Sequence, residues 1–208
     1  MDILPEVSFS IWIEAGIYAA TLIVAYVFGG LKEFKKWSQK KQKGNIDWSV
    51  HSDIHEFLTE LRVKTHASRA QVIQFHNGEY FMDGISMQKM STTHESLNVG
   101  ISSDHLSGTL ITLYSSLMKQ LESTLKHYFV QEEDTSYFNN TLELSNVNSY
   151  MVIPFFHNGS KSGCLIIHWC GEKINDYVVD NIAKVKDDIE YTRNIIQLKL
   201  NNQIKDSK

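Results

Sequence analysis

The 208-residue chain is 42% hydrophobic and 21% charged, a globular balance that excludes a wholly disordered polymer. Its net charge of −4 excludes a general nucleic-acid binder, whose footprint is basic. A mean hydropathy of −0.24 excludes multiple membrane spans, so any contact with lipid is local.

The first element is the apolar run at 11–28, IWIEAGIYAATLIVAYVF, in which Glu14 is the sole charge. At 1.5 Å per residue it reaches about 27 Å, close to a hydrocarbon core of about 30 Å. Trp12, Tyr18 and Tyr26 suit a helix that meets the membrane surface. The acidic start, with Asp2 and Glu6, lacks the basic region of a signal peptide, and no small-residue cleavage site comes after the run. Residues 1–31 are therefore expected to be a short tail and an uncleaved transmembrane helix. Within it, Ala15 and Ala19, and Gly16 and Ala20, have the spacing of small residues that lets helices approach in a bilayer, which suggests a homo-oligomer.

Residues 32–46 read as a basic juxtamembrane linker carrying Lys32, Lys35, Lys36, Lys40, Lys41 and Lys43. Such a stretch can rest on anionic headgroups, and the positive-inside rule puts the C-terminal remainder of the chain in the cytoplasm.

Residues 47–200 read as one soluble domain, with a polar tail at 201–208. Asp47 is a plausible N-cap for a helix to about Lys64, with Val50, Ile54, Phe57 and Leu61 on one stripe. The run 70–76 reads as a strand. Asn77-Gly78 is a hairpin signal, with a returning strand from Glu79, a second turn at Asp83-Gly84 and a strand over 85–90. A long helix is expected from about Asp104, capped by Ser103, with Leu106, Leu110, Leu113, Leu117, Leu121 and Leu125 on one face. The polar stretch 131–148 reads as a loop with a short strand.

Strands over 150–156 and 163–170 are joined by His157-Asn158-Gly159-Ser160, and Pro154 is expected at an edge or bulge. A final helix opens near Asp176 and stripes Val178, Ile182, Val185, Ile189 and Ile196. Phe-His-Asn-Gly occurs at both 75–78 and 156–159, which suggests two similar hairpins. Cys164 and Cys170 lie about 20 Å apart if their run is one strand, too far for a disulfide or a shared metal.

Thr93, His94, Glu95 and Ser96, with Asp83 and Lys89, form a polar constellation between the first strands and the expected long helix. With His76, the residues His76, Asp83, Lys89, His94 and Glu95 are the candidate ligand-binding set. His51 and His55 lie four apart on one helix, but without an HExxH pattern they read as a solvated face. His168 reads as a satisfied core histidine. No nucleophile elbow, P-loop, dinucleotide fingerprint or metal-ligand spacing occurs, so no enzyme, cofactor or metal is expected.

The run from Asn148 to Trp169, then Ile174–Asp176 and a long helix, resembles the C-terminal part of a GAF domain, and the strand after the first domain helix fits that family's earlier core strand. The resemblance covers roughly residues 48–200. It implies an α+β fold, a GAF- or PAS-like antiparallel sheet flanked by helices, here preceded by a single transmembrane helix. It also implies a ligand pocket bordered by the polar constellation, and hence a sensor or binding module for a small molecule or a protein partner. No kinase or cyclase segment comes after the last helix, so such a sensor is expected to act through a partner.

The span, the stretch Phe34–Lys41, Ser52-Asp53-Ile54, the phrase Glu79–Ile85 and the later hairpin also resemble the T-even bacteriophage holins. That resemblance implies a lysis-timing protein of the inner membrane, a soluble domain in the periplasm under a protein regulator, and a lesion made by self-association. The main expectation is this holin-like reading, and the alternative is the tethered GAF-like module.

Overall fold

The computed structural model of the chain describes residues 48–80, 86–121, 124–171 and 176–206. The expected span with Ala15, Gly16, Ala19 and Ala20, the six linker lysines, the Asp47 cap and Asp83 lie outside these residues. Among the described residues no helix is long and apolar enough to cross a membrane.

The first described helix, α1 (Trp48–Lys64), buries Ile54, Leu58 and Leu61 and half-buries Val50 and Phe57, a stripe of 3.6-residue period. Two long strands come next, β1 (Arg69–Tyr80) and β2 (Ser86–Leu97), paired antiparallel. β1 runs straight through Asn77-Gly78, where a hairpin turn was expected. Asn77 pairs with Gln88 and Tyr80 with Ser86, with an irregular register between them. Pairing resumes at Tyr80, so the Asn-Gly step is absorbed as a bulge instead of reversing the chain.

The expected long leucine helix is absent. After an irregular stretch come β3 (Thr109–Leu110), a 3₁₀ turn (Ile111–Tyr114) and the short helix α2 (Ser115–Gln120). Gly108 sits at φ +62°, and Thr109, Ile111 and Thr112 are β-branched, so a nucleus for a longer helix lacks support. The leucines that looked like one face divide between environments. Leu117 and Leu121 enter one core, Leu125 another, and Leu113 stays exposed.

The strand β4 (His127–Phe129) precedes helix α3 (Tyr137–Leu144), where a loop with a strand was expected. Ser136 caps α3 by accepting from the Asn139 amide, and Phe138 and Leu142 anchor it to the core.

The strands β5 (Val147–His157) and β6 (Ser160–Cys170) then form a hairpin, as expected. Asn158 at φ +50° and Gly159 at φ +78° turn it, the signature of a two-residue type I′ loop. β4 pairs only with Ser149–Met151, so β5 is an edge strand at Pro154, where a missing N–H does no harm. The chain closes with α4 (Asp176–Asp180) and α5 (Ile182–Asp206).

The six strands form one sheet in the order β3-β2-β1-β6-β5-β4, every neighbouring pair antiparallel. Alternation along each strand feeds two cores. Ala70, Val72, Met151, Ile153, Phe155, Leu165, Ile167 and Trp169 meet α1, α4 and α5. Ile73, Met90, Tyr150, Val152, Cys164 and Ile166 meet the 3₁₀ turn, α2 and α3. The expected antiparallel sheet flanked by helices is present. Both cysteines are free, and burial pushes the Cys164 thiol up to about 12.

Candidate functional site

On the α2/α3 side of the sheet, the apolar layer gives way to charge at the start of β1. Arg69 is fully buried there, beside His168 of β6 and on the same face as Gln71 and Glu95. Its guanidinium lies 3.6 Å from Glu95 and 3.4 Å from Asp104, donates to the Ser102 carbonyl at 2.6 Å, and meets His168 Nδ1 at 3.2 Å. Gln71 Nε2 donates to Glu95 at 2.7 Å and to the Asp104 carbonyl at 2.9 Å, and Ser103 donates to Glu95 at 2.5 Å.

The irregular stretch 98–108 supplies Ser102, Ser103 and Asp104, so it closes over the arginine. Arg69 Nε and His168 Nε2 remain buried without a hydrogen-bond partner. Burial, aided by the Arg69 charge, holds His168 down to about 3. Burial also raises the Asp104 pKa, against the pull of Arg69. The expectation of a satisfied core histidine at 168 thus holds for Nδ1 and fails for Nε2.

The candidate set read from the sequence is not brought to one point. Glu95 belongs to the arginine cluster. His76, Lys89 and His94 alternate onto the opposite side of the sheet, which α1 and α5 cover. His76 and Lys89 are cross-strand partners, and His76 Nε2 meets Ser91 Oγ at 2.9 Å. His76 also lines a shallow polar cleft of about 140 Å³ with Phe75, Asn77, Gln88 and Lys161.

His94 faces α1, where its Nε2 lies 2.8 Å from His51 Nδ1, with the two rings within 18° of parallel and their centroids 5.0 Å apart. Burial, with His51 and His55 nearby, lowers the His94 pKa to about 4. Next to it, Ser96 meets Thr59 Oγ1 at 3.0 Å and accepts from Arg62 Nε at 3.1 Å. Among the described residues no three His, Cys, Asp or Glu side chains are already gathered to hold a metal.

No family model matches the chain, and no curated protein is similar to it. Solved structures are. The chromophore-binding domain of an unusual bacteriophytochrome from R. palustris superposes with a TM-score of 0.50 at 11% identity, over 84% of this chain and 62% of that one. The described domain has a GAF-like fold. A phycocyanobilin-bound GAF domain from a cyanobacterial phytochrome gives 0.48 at 13% identity, over 79% of this chain and 92% of its own. The GAF domain of Thermosynechococcus elongatus PixJ, in its blue-light-absorbing form, gives 0.47 at 12%, over 73% and 89%. At these identities the likeness bears on the fold alone. The expected likeness to T-even holins gains nothing from these structures.

Sequence reasoning missed Arg69, Gln71, Asp104 and His168 as a group. Arg69 stands at the strand's first position, where a charge reads as solvated, and Asp104 lay in the expected long helix. The available signal was the alternation Arg69, Gln71, Ile73, Phe75, which puts two polar side chains in line with two core residues.

Proposed function

We propose that this chain is a membrane-tethered GAF-like sensing or binding module, whose recognition set is Arg69, Glu95 and Asp104 beneath the stretch 98–108. The carrying observation is the burial of Arg69 among two carboxylates on the sheet face opposite α1 and α5. Desolvating a charge costs several kcal/mol per ion, and a buried ion pair seldom repays this in stability alone. Groups perturbed by burial and by a specific charge cluster at functional sites.

The occupant is a small molecule or a protein partner that exchanges its own charge for one of the carboxylates. Residues 11–28, with the lysines after them, support tethering to the bilayer, and the absence of a nucleophile or cofactor motif supports a non-enzymatic role.

The test is thermal unfolding of the full-length protein in detergent against a metabolite library, beside Glu95→Gln. A compound that raises the melting temperature of the parent and leaves Glu95→Gln unmoved supports the reading. No shift with any compound, together with no cross-linked partner in cells, refutes it. The lysis-timing alternative draws on the small-residue spacing of Ala15/Ala19 and Gly16/Ala20. It requires that high expression in a bacterium collapse the membrane potential.

A further inference from the structure

The contact between α1 and β2 holds chemistry that the arginine cluster does not use. His51 and His55 are four residues apart on α1, so their side chains leave the same face of the helix. Spacing along the chain offers this pair no third member. The sheet supplies one, because the ladder Val72↔His94 points the His94 ring at His51.

The tautomer of His94 is set by its neighbours. The Thr93 hydroxyl donates to the Val72 carbonyl at 3.4 Å, so Thr93 Oγ1 is left to accept from His94 Nδ1 at 3.1 Å. That leaves the lone pair of His94 on Nε2, the atom 2.8 Å from His51 Nδ1. A hydrogen bond to the far ring nitrogen is the arrangement by which proteins orient metal-ligating histidines.

We propose that His94 Nε2 and His51 Nδ1, joined by the exposed His55 imidazole, form a surface site for a borderline divalent transition cation, with zinc as the probe. The first two ligands are preset, and the third is recruited when the cation arrives. With metal–nitrogen distances of about 2.0–2.1 Å in a tetrahedral site, two ligating nitrogens stand about 3.3–3.4 Å apart. The imidazoles therefore open by about half an ångström, and His51 carries its proton on Nε2 in place of Nδ1. His94, whose pKa is lowered to about 4, is already neutral and needs to shed no proton at neutral pH. Soft-to-borderline ligands of this kind disfavour magnesium and calcium, which take oxygen. The site lies across the sheet from Arg69 and stands independently of the proposed recognition set.

The experiment is equilibrium dialysis of untagged full-length protein in detergent against zinc chloride, with magnesium chloride as the hard-cation control. About one zinc per chain and no magnesium is expected. Affinity falls in both His94→Gln and His55→Gln, and Thr93→Val weakens it by about tenfold or more through loss of the orienting contact. Folding of each variant is checked by circular dichroism without metal. His55 is exposed, so its variant decides the question even if His94→Gln unfolds. Absence of zinc binding in the parent, or unchanged affinity in His55→Gln, overturns the proposal.

Discussion

Arg69 shows how much one side chain organises. Four separate segments meet at it: β1 carries it, β2 brings Glu95, β6 brings His168 and the 98–108 stretch brings Asp104 with the Ser102 carbonyl. Removing the guanidinium leaves the carboxylates without their cation, so Arg69→Met is expected to lower stability by about 3–5 kcal/mol in urea unfolding. Pairing it with Glu95→Gln should recover part of that loss, and no recovery would mean the charges are independent.

Protonation gives a second residue-scale expectation. His168 and His94 are held to about 3 and about 4, below the ordinary value of 6.5. Their contribution to stability is therefore complete above the unfolded value and is lost as pH falls from about 6.5 towards those figures. Asp104 has the opposite sign, because a raised carboxyl contributes fully at low pH and less as pH rises through its folded value. The urea midpoint of the parent is expected to fall between about pH 7 and pH 4, and less steeply in His94→Gln. Parallel slopes would show that His94 does not titrate as its surroundings imply.

Among the elements, periodicity was informative where a single face decided burial. The stripes on α1 and α5 and the apolar runs of β5 and β6 were legible because their neighbours lie on one side, or on both sides, throughout. The leucines between 106 and 125 misled because their spacing fits a helix while their environments differ, and a local pattern carries no information about which core each residue enters.

The two Phe-His-Asn-Gly phrases make the same point. At 156–159 the strands end and the phrase turns, whereas at 75–78 the ladder to β2 continues and the phrase stays extended. Of the candidate site, Glu95 and His94 were legible as polar residues, but the bulge at Thr93 and the face each occupies were not.

Gly163 gives the elements their own test. A Cβ there would lie 2.2 Å from the Ile73 carbonyl oxygen and 3.1 Å from Gln74 Cα, both backbone atoms of the paired strand β1. Gly163→Ala must therefore force β1 and β6 apart at the middle of the sheet, at about 2 kcal/mol or more. A melting temperature equal to the parent's would contradict that packing. The small residue that returns the hairpin is thus required by its neighbour strand and not by its own φ.

At the scale of the whole molecule, the proposed tether and the described domain are separate matters, and each has its own measurement. A reporter fused after Lys208 is expected in the cytoplasm if the lysines at 32–43 set orientation. A periplasmic reporter would favour the lysis-timing alternative. Release of the full-length chain from membranes by salt alone would remove the tether from both readings.

The stretch 98–108 forms no helix or strand, and by that measure it resembles a surface loop. Its amides are nonetheless tied down: Asn98 donates to the Ser68 carbonyl, Leu106 to the Thr92 hydroxyl and Gly108 to Ser91, while the Ser102 carbonyl receives Arg69. The last of these closes the stretch over a desolvated cation, so the stretch as a whole cannot lift off the sheet without exposing it. In deuterium exchange, the Asn98, Leu106 and Gly108 amides are accordingly expected to label on the timescale of global unfolding, as slowly as the central strands, and to quicken sharply once position 69 is neutral.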